Sequence, residues 1–133
     1  MGNDEICSRF NKVLWHDSKL CSFAVVREGD RDDIVFNLEL RGMPGLELTP
    51  AILTLIDATY LKAEVDLDGK HQCADDISSA HCHARSALRD ELLRSQFQHS
   101  PTALDGYYHF NLYLIPPGGR IDVFARNFEL NGK

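Results

Sequence analysis

Tyr107-Tyr108-His109-Phe110-Asn111-Leu112-Tyr113-Leu114-Ile115-Pro116-Pro117-Gly118-Gly119-Arg120-Ile121-Asp122-Val123-Phe124-Ala125 is the stretch on which the fold turns. Tyr108, Phe110, Leu112 and Leu114 recur at every second position, the spacing that places side chains on one face of an extended strand. Two prolines and two glycines then interrupt, because proline removes a ladder donor and glycine admits positive φ. Alternation resumes at Ile121, Val123 and Ala125. The pattern predicts two long antiparallel strands joined by a four-residue loop. Farther on, Phe128 and Leu130 have the opposite parity. That change requires a bulge near Arg126 and Asn127, or a strand covered on both faces.

Upstream, the chain carries the same signature three more times. Leu20, Ala24 and Val26 alternate with Cys21, Phe23 and Val25, so a strand is expected over 19–27. The polar residues 28–33 form a turn, and Ile34, Phe36, Leu38 and Leu40 mark the returning strand of a hairpin. Residues 51–56 are apolar apart from Thr54, which suits a strand buried on both faces or a helical fragment; because 60–67 beside them alternate cleanly, both stretches are read as strands. Residues 70–85 show no regular pattern.

Two helices complete the expectation. Ile6, Phe10, Val13 and Leu14 form one helical stripe, with Asn3 or Asp4 as its cap and the chain leaving the helix near Trp15. Leu88 and Leu92 mark a second helix over about 86–98, with Ser86 as its cap and the Ser100-Pro101 step as its end. The expected fold is therefore α+β, mainly antiparallel β, with about six strands in a sandwich or strongly curled sheet and two short helices. An open sheet with both helices on one side is the alternative. All 133 residues belong to one domain, long enough to build a core without metal or disulfide staples.

Composition excludes several function classes. Acidic residues number 20 against 14 Lys and Arg, a formal charge of −6 that disfavours nucleic acid and suits a basic protein partner. No segment approaches the ~20 apolar residues of a membrane-spanning helix. The acidic start has neither part of a secretory signal, and Ile6 breaks the myristoylation pattern begun by Gly2, so a cytoplasmic location is expected. Cys7, Cys21, Cys73 and Cys82 are too irregularly spaced for a disulfide framework and are read as thiols, mostly buried.

Three groups of residues carry chemistry in type but not in spacing. His71, Cys73, Asp75, Asp76, His81, Cys82 and His83 include zinc-ligating types, and Cys73, Cys82, His81 and His83 make up a possible set of four. Eight residues separate the cysteines, whereas structural zinc sites pair ligands two to five residues apart. Asp66-Leu67-Asp68-Gly69 begins like a calcium loop but lacks the downstream Glu. His16-Asp17-Ser18 holds the residue types of a nucleophilic triad on one short segment, where they cannot converge. Asp17 or Ser18 is expected instead to satisfy backbone donors, with Trp15 in the core.

Leu14-Trp15-His16-Asp17-Ser18-Lys19-Leu20, followed by an extended segment, resembles the opening of small uncharacterised bacterial proteins. It resembles more distantly that of immunity-type proteins, which begin with a His-Asp-Ser or His-Asp-Ala stretch before their strands. Asp75-Asp76-Ile77-Ser78-Ser79-Ala80 and Leu114-Ile115-Pro116-Pro117-Gly118-Gly119 also read as fixed signatures. The resemblance implies a small strand-rich domain that binds a protein, and it carries over no catalytic residue.

The function expected is thus a non-enzymatic protein-binding domain without cofactor, whose partner is another protein or a second copy of the chain. The alternative is a zinc-binding protein or metal-dependent enzyme using the segment 71–83. The expected binding row is Tyr107, His109, Asn111 and Tyr113, on the face opposite the apolar set, with Arg120 and Asp122 as a polar rim. Either that row is open, or the second helix roofs it and makes it core.

Overall fold

The fold was analysed on a computed structural model, which describes residues 2–41, 47–65, 75–115 and 119–132. In chain order these build α1 (Gly2–Asn11), β1 (Lys19–Glu28), β2 (Arg31–Leu40), β3 (Thr49–Val65), β4 (Asp75–His83), α2 (Ala87–Ser95), β5 (Tyr108–Ile115) and β6 (Gly119–Gly132). The six strands pair antiparallel in the order β1-β2-β3-β6-β5-β4, and the sheet closes where Lys19 and Leu20 of β1 meet Asp76 and Asp75 of β4. Lys19 Nζ donates to Asp76 Oδ1 at 2.8 Å across that seam. The α+β class and the six antiparallel strands are as expected. Of the two arrangements anticipated, the sheet takes the curled one and carries it to closure.

The opening pair β5 and β6 fits its alternation. Phe110 pairs with Val123 and Leu112 with Ile121, and all four are buried in the barrel interior. Cys82 and Ala80 of β4 stand opposite Phe110 and Leu112, extending both rows inward. From β2 and β3 come Ile34, Phe36, Leu38, Leu53 and Leu55. The helix α1 lays Phe10 into this interior, its ring 4.7 Å from Trp15, 5.0 Å from Phe110 and 5.1 Å from Phe128. Trp15 is core, as expected, and its Nε1 donates to the Phe10 carbonyl at 2.9 Å. Because α1 ends at Asn11, Leu14 falls off the predicted stripe and is 52% exposed.

The number of strands agrees with the sequence pattern, but two identities differ. Residues 51–56 and 60–65 are one long strand, β3, bent where Asp57 takes a left-handed φ of 56°. The Asp33 carboxylate accepts the Asp57 backbone N–H at 2.8 Å and Arg126 Nε meets Asp57 at 3.0 Å, which hold the bend. The parity change in β6 sits at the same level. Leu55 pairs with Phe128 and Ala58 with Ala125 in one register, so both strands shift face together, and the register slips once, between Ala58 and Tyr60. The parity change is a switch of face, since Phe128 packs into the same interior as Ala125, and no register shift falls at Arg126 and Asn127. Farther along, β6 is covered on both faces, with Phe124 buried on the outer one.

The sixth strand is β4, from a stretch read as irregular. Its inward residues are Ile77, Ala80 and Cys82, and a bulge between Ile77 and Ser79 moves them from odd to even positions. Small and polar residues at the remaining positions hide the alternation. The hairpin turn between β1 and β2 is also tighter than expected: Glu28 pairs with Arg31, leaving Gly29 and Asp30 as the turn, with Gly29 at φ 58°. At the handover from α1 to β1, Ser18 is buried and its Oγ accepts the Arg41 N–H at 3.1 Å, satisfying a backbone donor as anticipated.

Candidate functional site

The outer face of β4, β5, β6 and β3 carries most of the polar side chains that sequence had singled out. Register alone sets three rows across these strands: His83, His109, Phe124 and Tyr60; His81, Asn111, Asp122 and Lys62; Ser79, Tyr113, Arg120 and Glu64. α2 lies over the middle of this face. Leu92, Leu104 and Phe124 form a second small core there, with Tyr60, Leu88, Phe97 and Tyr107 packed around it. The roofed alternative is therefore realised for His109 and Asn111, which are buried. Tyr107 and Tyr113 remain half-buried, each under a guanidinium: Arg126 lies 4.3 Å from the Tyr107 ring and Arg120 5.2 Å from that of Tyr113.

Beneath the start of α2, Ser86, His109 and Asp122 form a hydrogen-bonded chain. His109 Nε2 is 2.6 Å from Asp122 Oδ1 and His109 Nδ1 is 2.8 Å from Ser86 Oγ. A carboxylate can only accept, so Nε2 carries the proton and Nδ1 accepts from the serine hydroxyl. Arg120 Nε donates to the other Asp122 oxygen at 2.7 Å. The His109 ring stacks on Phe124 at 4.9 Å. Buried Asn111 lies in the next row, where its Oδ1 has no donor among the described residues.

The connectivity matches that of a nucleophile, a base and an orienting carboxylate, and its serine is also engaged by the helix above it. Ser86 is the N-cap of α2, and its Oγ already accepts the Arg89 N–H at 3.1 Å. Two clefts of about 320 Å³ flank the helix, one lined by Arg85, Arg89, Asp105 and Tyr107, the other by Lys62, Glu64, Leu88, Arg120 and Asp122. Neither is lined by Ser86 or His109, so a substrate in them would not meet the serine. The chain anchors α2 to the barrel.

Two imidazoles on this face resist protonation. Burial lowers the His109 pKa, and its hydrogen bond to Asp122 only partly restores it, while Arg120 opposes the charge. Burial also lowers that of His83, with His109 and His81 beside it adding to the effect. A base whose folded pKa lies below its unfolded value of about 6.5 takes up protons more readily when unfolded, so stability falls as pH drops below that value. The urea midpoint should therefore decline from about pH 7.5 to about pH 5.5, and His83→Gln should flatten the decline. A wild-type profile flat over this window would show that neither imidazole is held neutral by the fold.

Among the described residues, the proposed zinc ligand Cys82 is held apart from His81 and His83. Cys82 points into the barrel, where the Cys7 Sγ lies 2.9 Å from its own, while His81 and His83 stand on the outer face with rings 5.8 Å apart. Strand alternation separates these side chains, because 81 and 83 share a face and 82 does not. Cys73, the 66–69 loop and His71 lie outside the described residues. Among the described residues no group of three His, Cys, Asp or Glu side chains converges as a metal site would. In the His16-Asp17-Ser18 stretch, His16 and Asp17 are exposed with His16 Nε2 3.5 Å from Asp17 Oδ1, while Ser18 is buried and stands apart from them.

Among the described residues, two adjacent large apolar side chains are exposed elsewhere, on β1. From Cys21 onward this strand is exposed at every residue except the half-buried Phe23. Val25 and Val26 point to opposite faces yet are 52% and 39% exposed. Among the described residues, its pairing with β4 covers only Lys19 and Leu20, whereas β2 pairs with it along nearly its full length. Sequence reasoning missed this surface, because consecutive apolar residues in a strand normally signal burial on both sides. Among the described residues, no helix is long and apolar enough to cross a membrane. Compared with known proteins, the chain matches no family model, no curated protein and no solved structure.

Proposed function

We propose that this chain is a non-enzymatic protein-binding domain of the cytoplasm, and that it engages its partner through β1. The observation that carries this is the outer part of β1, exposed on both faces with Val25 and Val26 in solvent. A strand offering apolar side chains on both faces and ladder groups along one edge is suited to pairing with an extended segment of another protein. The formal charge of −6 favours a basic segment as occupant. The resemblance of the 14–20 stretch to immunity-type openings supports the same class.

The row Tyr107, His109, Asn111 and Tyr113 then has a structural role in its middle and leaves β1 as the recognition surface. A photo-crosslinking amino acid in place of Val25, expressed in the native cells, should give one adduct with a distinct basic protein. Val26→Asp should abolish that adduct while the melting temperature changes by no more than about 2 °C, as for a surface substitution. The same probe in place of Tyr113 should give none. Equal adducts from both positions would refute the assignment, and an adduct of twice the chain's mass would make the occupant a second copy.

A further inference from the structure

The contact between α1 and β4 holds a pair of cysteines far apart in sequence. Cys7 Sγ and Cys82 Sγ are 2.9 Å apart, although the two residues are 75 positions apart along the chain. One helical turn beyond Cys7, on the same face of α1, Asn11 makes two hydrogen bonds to the Cys82 backbone. Its Nδ2 donates to the Cys82 carbonyl at 3.0 Å and its Oδ1 accepts the Cys82 N–H at 2.8 Å. The side chain amide thus stands in for a neighbouring strand and fixes α1 at the level of this one residue. Two thiols held in contact by an independent pair of hydrogen bonds meet at high effective concentration.

We propose that Cys7 and Cys82 form an intramolecular disulfide that fastens α1 to the barrel when the chain meets a small-molecule disulfide such as oxidised glutathione. Cys7 is half-buried and Cys82 is 2% exposed, so the exchange begins at Cys7. Burial, and then the hydrogen bond with Cys7, push the Cys82 thiol well above the ordinary range, which also disfavours it as the first nucleophile. The Cys7 thiolate attacks one sulfur of the glutathione disulfide, forming a mixed disulfide and releasing one glutathione thiolate. Cys82 then gives up its proton and attacks the Cys7 sulfur, breaking the mixed bond and releasing the second glutathione. Two cysteine sulfurs are oxidised, one disulfide is reduced, and the two thiol protons end on the departing glutathiones.

The bond would close a long loop and hold Phe10 in the barrel interior, so it should stabilise the fold. The reduced full-length chain, equilibrated with oxidised glutathione, should lose two of its four titratable thiols and 2 Da of mass. Non-reducing peptide mapping should join the peptides of Cys7 and Cys82. The melting temperature should rise by about 10 °C and return on addition of dithiothreitol. Cys7→Ser should remove the cross-linked peptide and Cys21→Ser should not. Persistence of both thiols as alkylatable groups, stable glutathione adducts at Cys7, or a cross-link to another cysteine would each overturn the proposal.

Discussion

Phe10→Ala is expected to destabilise the protein by about 4 kcal/mol, measured as the shift in urea unfolding free energy. The ring is fully buried and meets three other aromatic rings within 5.1 Å, two of them edge-on. Truncation removes the transfer energy of the ring and leaves a void bounded by β5 and β6, whose backbones are fixed by ladder hydrogen bonds and cannot close over it. Domains of this size have about 5–15 kcal/mol in total, so the variant should sit near the edge of folding. Leu14→Ala is the control: 52% exposed and beyond the end of α1, it should cost no more than about 0.5 kcal/mol. A loss below about 1 kcal/mol for Phe10→Ala would mean that the barrel closes without its helical plug.

The legibility of this fold in its sequence varies from element to element for physical reasons. β5 and β6 were readable because one face of each is lined by large apolar residues at period two, and the hairpin loop between them is marked by proline and glycine. β4 was not readable, since Ile77, Ala80 and Cys82 supply little apolar contrast and a bulge breaks their period. The bend in β3 looked like a boundary because Asp57 is polar and left-handed, a conformation that usually ends a strand; here Asp33 and Arg126 hold it from neighbouring strands. Those partners are remote in sequence, and no local pattern reports them.

The site divides the same way. Ser86 was legible as a helix cap, and Tyr107, His109, Asn111 and Tyr113 as one face of a strand. What the alternation could not convey is that α2 crosses the middle of that row. One signal did point to it: Ile121-Asp122-Val123-Phe124-Ala125 has apolar residues of both parities, which implies a strand covered on both sides. A carboxylate within such a run needs a buried partner; Asn111 stands opposite it by register, and His109, one row along the paired strand, is the group that meets it. The exposed β1 surface is the opposite case, where an apolar run stays in solvent because, among the described residues, its neighbours do not extend over it.

His109→Leu is the second substitution expected to have a large effect, about 3 kcal/mol of destabilisation in the same urea measurement. Leucine fits the space beside Phe124 but removes the donor to Asp122 Oδ1 and the acceptor for the Ser86 hydroxyl. The carboxylate, its side chain 6% exposed, would then be held in the interior by Arg120 alone. Asp122→Leu should cost less, about 2 kcal/mol, because Arg120 is half-exposed and can turn to water, leaving only the His109 N–H unpaired. The double variant, His109→Leu with Asp122→Leu, leaves neither a buried charge nor an orphaned imidazole. It should therefore be more stable than the sum of the single losses predicts by about 2 kcal/mol. This coupling separates an anchoring network from two independently packed residues. If the two losses add to within about 0.5 kcal/mol, the hydrogen-bonded chain beneath α2 does not hold the helix, and the burial of this face rests on Leu92, Leu104 and Phe124 alone.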